Sequence, residues 1–275
     1  MSKYDSRWVE EYYDEYGDKE WHRLTQTPFN EVSLHVHTHY LEQYVQPGSR
    51  VLEIGAGPGR FTQVLAGLGC RILVADISPI QLDLNRKHGG ELGFSKAVED
   101  WIQLDACDLG DLKPAPFDAV VCYGGALSYV FERASEAVAE CARVLKKNGL
   151  FLASVMLLWG AAHNALDSVL DVPVEHNKRI IDTGDLTPEN YPTGKHWCHL
   201  YRAGEFRDLL SHARLEVVAM AASNSLCTRW NDLLAEIRHD AEKWTELLRI
   251  ELEATREPGC LDMGTHLIAV ARKPE

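Results

Sequence analysis

Short apolar runs alternate along this chain with stretches whose apolar positions recur at helical spacing, and that alternation organises the rest of the reading. Val51-Leu52-Glu53-Ile54 is an apolar strand with one acid inside it, and Phe61, Val64, Leu65 and Leu68 continue at helical spacing. A second strand spans 71–76. Ser78 then serves as N-cap and Pro79 as first helical residue of a helix carrying Leu82 and Leu84. Strands at 101–105 and 117–122 follow. A helix over 137–147, with Val138, Cys141, Ala142 and Leu145 on one face, stops at Asn148-Gly149 and leads into a fifth strand at 150–158. Upstream, Val32, Val36, Tyr40 and Tyr44 recur every four residues and predict a helix that ends before Pro47-Gly48. Downstream, 159–199 is polar and proline-spaced, and reads as an insertion. A helix at 205–212, a sixth strand at 214–221, a long amphipathic helix at 230–253 and a seventh strand at 265–271 complete the pattern.

Strands alternating with helices predict an α/β fold: a doubly wound, mostly parallel seven-stranded sheet with helices on both faces, an N-terminal helical arm and a cap insertion after strand five. One domain is expected, with 1–46 as a helical lid, 47–158 as the cofactor-binding core, 159–200 as the cap and 201–275 as the C-terminal part of the sheet with its long helix. Ligands of such sheets lie at the carboxyl ends of the strands.

Composition narrows the function classes. The 275 residues are 45% hydrophobic and 25% charged, ordinary for a globule with a sizeable core. Forty-one acids against 28 bases give a net charge of −13, which opposes a broad electrostatic grip on nucleic acid or on an anionic membrane. Seven cysteines without a C-x-x-C pair indicate free thiols, not a disulfide framework or zinc knuckle. The acidic, aromatic N-terminus lacks the apolar centre of a signal peptide, and no run approaches membrane-spanning length, so a cytoplasmic protein is expected. His35 and His39 share a helix face but lack a completing carboxylate, and no metal is expected.

Candidate chemistry concentrates in V-L-E-I-G-A-G-P-G-R-F-T, residues 51–62. Gly55, Ala56, Gly57 and Gly59 form a tight turn between strand and helix that lets backbone approach a ligand. A dinucleotide fingerprint would need glycine at position 60, where Arg60 stands. Glu53, moreover, disfavours an anionic pyrophosphate beside it and suits a cationic ligand. Asp76, at the end of strand two, can accept both hydroxyls of a ribose, and Ile77 can pack on an adenine.

The glycine pattern preceded by Glu53 resembles motif I of the class I S-adenosylmethionine-dependent methyltransferases. A-R-V-L-K-K-N-G-L-F-L-A-S-V resembles that family's late helix-turn-strand, and H-L-I-A-V-A-R-K its antiparallel closing strand. The resemblance implies S-adenosylmethionine as cofactor, Asp105 at the adenine amino group, a backbone N–H of Ala106 at the ring, and the transferable methyl near Tyr123. It implies direct in-line displacement giving S-adenosylhomocysteine, a step in which positioning carries much of the rate. Should a base be used, His163, His196 and His199 in the insertion are the candidates. The C-Y-G-G loop after strand four departs from the D/N-P-P-Y of amino-methyltransferases, and a small-molecule acceptor is expected; the atom methylated, the catalytic residue and the oligomeric state stay open. A dinucleotide-dependent oxidoreductase, or a cofactor-binding protein of this fold without turnover, are the alternatives. The aromatic arm and the insertion are expected to close together over the cofactor.

Overall fold

A computed structural model describes residues 3–110, 112–114, 116–192, 194 and 196–275. The five core strands are β1 (Arg50–Ile54), β2 (Arg71–Asp76), β3 (Val98–Gln103), β4 (Phe117–Cys122) and β5 (Leu145–Met156). β1, β2, β4 and the second half of β5 are mostly apolar on both faces because helices cover both, whereas β3 at the sheet's edge exposes Glu99 and Asp100. The helices before and between them are α1 (Ser6–Tyr16), α2 (Lys19–Arg23), α3 (Pro28–Tyr44), α4 (Arg60–Gly67), α5 (Pro79–Leu92) and α6 (Ala134–Val144). The cap follows as α7 (Leu158–Asn164), α8 (Leu166–Asp171) and α9 (Val174–Thr183), with a small hairpin of β6 (Asp185–Leu186) and β7 (Cys198–His199). The chain ends with α10 (Ala203–His212), β8 (Glu216–Ala222), α11 (Asn231–Ile237), α12 (Ala241–Ala254) and β9 (His266–Arg272).

The main sheet has seven strands in the order β3-β2-β1-β4-β5-β9-β8, six running in one direction and β9 inserted antiparallel between β5 and β8. Alternation along β1 sends Leu52 and Ile54 to one face and Val51 to the other. On the first face α6 and α10 pack through Val138, Cys141, Phe206 and Leu210. On the second, α3 and α4 pack through Val36, Leu41, Phe61 and Leu65.

Several predicted boundaries move, among them strand three, which spans 98–103 and not 101–105, and strand five, which spans 145–156 and not 150–158. The helix expected over 137–147 ends at Val144, because Leu145 already pairs with Phe117 of β4 and the Lys273 ammonium donates to the Ala142 and Leu145 carbonyls at 2.7 and 2.8 Å. The long helix expected over 230–253 is two helices, since Asp240 takes an extended backbone and its carboxylate caps α12 by accepting from the Lys243 N–H at 3.1 Å. The insertion is largely helical, although its sequence is polar and proline-spaced.

A separate apolar cluster joins arm and cap above the carboxyl edge of the sheet. Val9 and Tyr13 of α1 meet Tyr129, Met156, Leu158, Ile180, Cys198 and Leu200 there. Trp8 stacks on Trp197 with centroids 4.9 Å apart, and Tyr12 stacks on His196 at 5.9 Å. The cap is pinned by His199, whose Nδ1 lies 2.7 Å from Asp185 and whose Nε2 lies 2.7 Å from Glu205 of α10; Lys3 of the arm also pairs with Asp185. Burial alone would lower the His199 pKa, but the hydrogen bonds to the two carboxylates outweigh it and raise it to about 9.

A raised histidine pKa contributes stability that is fully present below the unfolded value of about 6.5 and is lost as pH climbs through the folded value. Thermal unfolding should therefore show the native chain losing up to about 3 kcal/mol between pH 6.5 and 9 relative to His199→Gln. Curves for the two proteins that run parallel over this range would contradict the linkage.

Candidate cofactor and acceptor site

The carboxyl ends of β1, β2 and β4 open into a cavity of about 70 Å³, roofed by the arm. Its floor includes Ile54, Gly55, Gly57, Asp76, Ile77, Asp105, Ala106, Tyr123 and Gly124, and its roof Tyr4, Val9, Tyr13 and Glu20. Gly55 has φ +63°, and a Cβ there would stand 2.7 Å from the Cβ of Ala126, so β1 and the loop after β4 meet across a gap that admits only glycine.

Seven of the ten predicted cofactor residues line this cavity: Gly55, Gly57, Asp76, Ile77, Asp105, Ala106 and Tyr123. Asp76 is buried, and its two carboxylate oxygens accept from the Gly57 and Ser78 amides at 2.8 and 2.9 Å, which ties the glycine turn to the start of α5. Burial raises its pKa to about 6 against those two donors. Asp105 accepts from the Cys107 amide at 2.8 Å and from the Tyr4 hydroxyl of the arm.

Glu53, Ala56 and Gly59 are not among the lining residues. Glu53 shares the Val51 face of β1, so its side chain runs under α4, where Thr62 donates to it and Oε2 has no partner. Burial lifts this carboxyl to about 8, and nearby Asp76 adds to the shift. The acid that does overhang the glycine turn is Glu20 of α2, whose Cγ lies 3.5 Å from where a Gly57 Cβ would be. Glu20 holds Arg23 through three hydrogen bonds of 2.6 to 2.8 Å, and Arg23 stands beside Gly124. The E-x-x-R spacing of these two is visible in the sequence, on an arm whose aromatics drew the reading instead.

Arg60, which breaks the dinucleotide pattern, fastens the arm. Its guanidinium lies 3.7 Å from the Trp21 ring centroid and donates to the Trp21 carbonyl at 2.6 Å. Trp21 thus grips the turn from outside and does not line the cavity. Trp159 is exposed and Tyr201 belongs to the core below, so neither lines the cavity.

The three candidate histidines separate. His163 is exposed on α7 and lies off the cavity. His199 is held in the ion-paired pin described above. His196 stands directly behind the wall, 2.5 Å from the hydroxyl of Tyr129, and burial, aided by Arg23, lowers its pKa to about 4. Two histidines outside the predicted site set also converge here. His37 of α3 has its ring centroid 5.0 Å from that of Tyr123, and His266 at the start of β9 is 6.3 Å from His37. Among the described residues no three His, Cys, Asp or Glu side chains are grouped to hold a metal, and no helix is long and apolar enough to cross a membrane.

The family model described as a methyltransferase domain matches residues 52–153, which contain the glycine turn, Asp76, Asp105 and Tyr123. The ubiquinone biosynthesis O-methyltransferase of Xylella fastidiosa (strain 9a5c) is 33% identical over 114 residues, 39% of this chain and 42% of that protein. The chain thus spans less than half the length of the curated relatives it matches. The crystal structure of the [4+2]-cyclase SpnF superposes with a TM-score of 0.56 at 23% identity, covering 86% of this chain and 80% of that one. An S-adenosylmethionine-dependent methyltransferase from Mesorhizobium loti gives 0.56 at 19%, covering 82% and 91%. At such identities the likeness establishes the fold: the α/β sheet closed by an inserted antiparallel strand. Residues 52–153 are thus similar to a methyltransferase domain, and the sheet around them has the fold of an S-adenosylmethionine-dependent methyltransferase.

Proposed function

We propose that the chain transfers a methyl group from S-adenosylmethionine to a small-molecule acceptor. The observation that carries this is the charge of the cavity: Glu20, Asp76 and Asp105 line it, and among the described lining residues none is Lys or Arg. Such a site repels the pyrophosphate of a dinucleotide and accommodates a ligand with an ammonium and a sulfonium. The residues also fit the ligand's parts. In this reading Asp76 accepts from ribose hydroxyls, Ile77 packs on adenine, Asp105 with Ala106 meets the adenine edge, and Gly55, Gly57 and the Tyr123-Gly124 backbone face the methionyl chain, with Glu20 and Arg23 at its charged end.

When bound, the cofactor supplies an activated methyl on sulfur. The chain's own contribution is position and dryness: the arm and cap exclude water, and the Tyr123-Gly124-Gly125 strip fixes the line along which an acceptor approaches. The acidic exterior suits a small acceptor better than a polyanion, and the Xylella relative is itself named for a small-molecule O-methylation. The soluble compartment expected from the sequence is cytoplasmic.

Calorimetry should show S-adenosylhomocysteine binding and no NAD binding; the reverse result would remove the proposal. Asp76→Ala should weaken S-adenosylhomocysteine by about 1–3 kcal/mol. Because ribose hydroxyls favour the charged carboxylate, native affinity should rise as pH passes upward through about 6, and the step should vanish in Asp76→Ala. Screening hydroxyl, amine, thiol and carboxylate acceptors with labelled methyl donor then separates a methyltransferase from a cofactor-binding protein without turnover. On hydrogen exchange, α1 and the cap should gain protection when S-adenosylhomocysteine binds, and equal exchange with and without it would contradict a closing lid.

A further inference from the structure

Three segments far apart in sequence meet behind the loop that follows β4. His37 comes from α3, Tyr123 from the end of β4 and His266 from the start of β9. His37 is 2% exposed. Its Nδ1 lies 2.8 Å from the carbonyl oxygen of Ser33, one turn back on its own helix. A carbonyl can only accept, so Nδ1 carries the proton and donates it, and the neutral ring's other nitrogen, Nε2, is a bare lone pair. That nitrogen is buried and has no hydrogen-bond partner, as is also true of the Tyr123 hydroxyl. A histidine serving only as packing would leave both groups uncompensated.

The surroundings are aromatic. His37 meets Tyr123 edge-on and lies 5.5 Å from Phe61, while Phe61 and Tyr123 are 5.2 Å apart. Tyr123 belongs at once to this group and to the cavity wall. Gly125 brings the loop after β4 alongside His266, whose Nε2 lies 3.5 Å from where a Gly125 Cβ would be. Burial lowers the pKa of His37, His196 and His266, and Arg23, a cation near the group, adds to the shift. A guanidinium in that place repels an ammonium acceptor and favours an oxygen that is losing its proton.

On the reading of the chain as a methyltransferase, we propose that His37 is the proton acceptor of the reaction, and that the acceptor molecule is a neutral, ring-bearing hydroxyl compound whose O–H points at Nε2. The hydroxyl oxygen forms the bond to the methyl carbon while the carbon–sulfur bond breaks and sulfur keeps the electron pair. The hydroxyl proton passes to Nε2, giving an imidazolium that Ser33 continues to hold through Nδ1–H, and it leaves to solvent when the lid opens. His266 and Tyr123 border the ring of the acceptor.

Nitrogen NMR of protein labelled with ¹⁵N-histidine tests this without turnover. One ring, absent from the spectrum of His37→Gln, should show a protonated Nδ1 and an unprotonated Nε2. Phenol should shift that Nε2 signal, and anisole, which has no proton to donate, should not. An Nε2 that carries the proton, or that phenol and anisole leave alike, overturns the proposal. In kinetics, His37→Gln should keep S-adenosylhomocysteine affinity within about twofold and KM for the acceptor nearly unchanged, yet lose about 100-fold or more in kcat, with partial rescue by added imidazole. Unchanged kcat overturns the role of His37, whereas absence of S-adenosylhomocysteine binding by the native chain would overturn the methyltransferase reading itself.

Discussion

Five parallel strands that end together leave an edge where backbone groups run out of ladder partners, and the placing of everything else in this chain follows from that edge. The Gly57 and Ser78 amides find Asp76, and the Gly124 amide finds the Ser154 hydroxyl at 3.0 Å. What these side chains satisfy they also organise. Asp76 is drawn into the sheet's mouth because two amides need an acceptor there, and the cavity takes its charge from that arrangement.

The arm and the cap are the second consequence. An apolar-floored cavity needs cover, and α1 supplies it by packing Val9 and Tyr13 against cap and sheet residues while Trp8 and Tyr12 stack on Trp197 and His196. The attachment is polar at its ends: Arg60 grips Trp21 on one side, and the carboxylates around His199 and Lys3 hold the other. Such a cover rests on few apolar contacts compared with the sheet below, and elements of that kind are the ones that open first.

How much of this could be read from the residues depended on periodicity. The strands, the glycine turn, Asp76, Ile77, Asp105, Ala106 and Tyr123 were legible because each sits at the end of a strand whose alternation is strong. Glu53 misled, since its type suited the ligand while its register with Val51 sends it under α4. His37 was hidden among neighbouring histidines; only its place beside Val36 and one turn before Leu41, both fully buried, marks it as inward-facing. Glu20 and Arg23 carried no periodic signal, because α2 is a single short helix whose position comes from tertiary contacts. The break at Asp240 follows the same logic, for a helix-compatible apolar pattern says nothing of a cap that reorients the chain.

The central claim is that the cavity between Asp76, Asp105 and Tyr123 is the cofactor site of a methyltransferase. Crystals grown with S-adenosylhomocysteine test it most directly. The account predicts difference density for the ribose at Asp76, the adenine between Ile77 and Asp105, and the sulfur facing the Tyr123-Gly124 strip beneath a closed α1. Density for the ligand elsewhere, with this cavity unchanged, would contradict it.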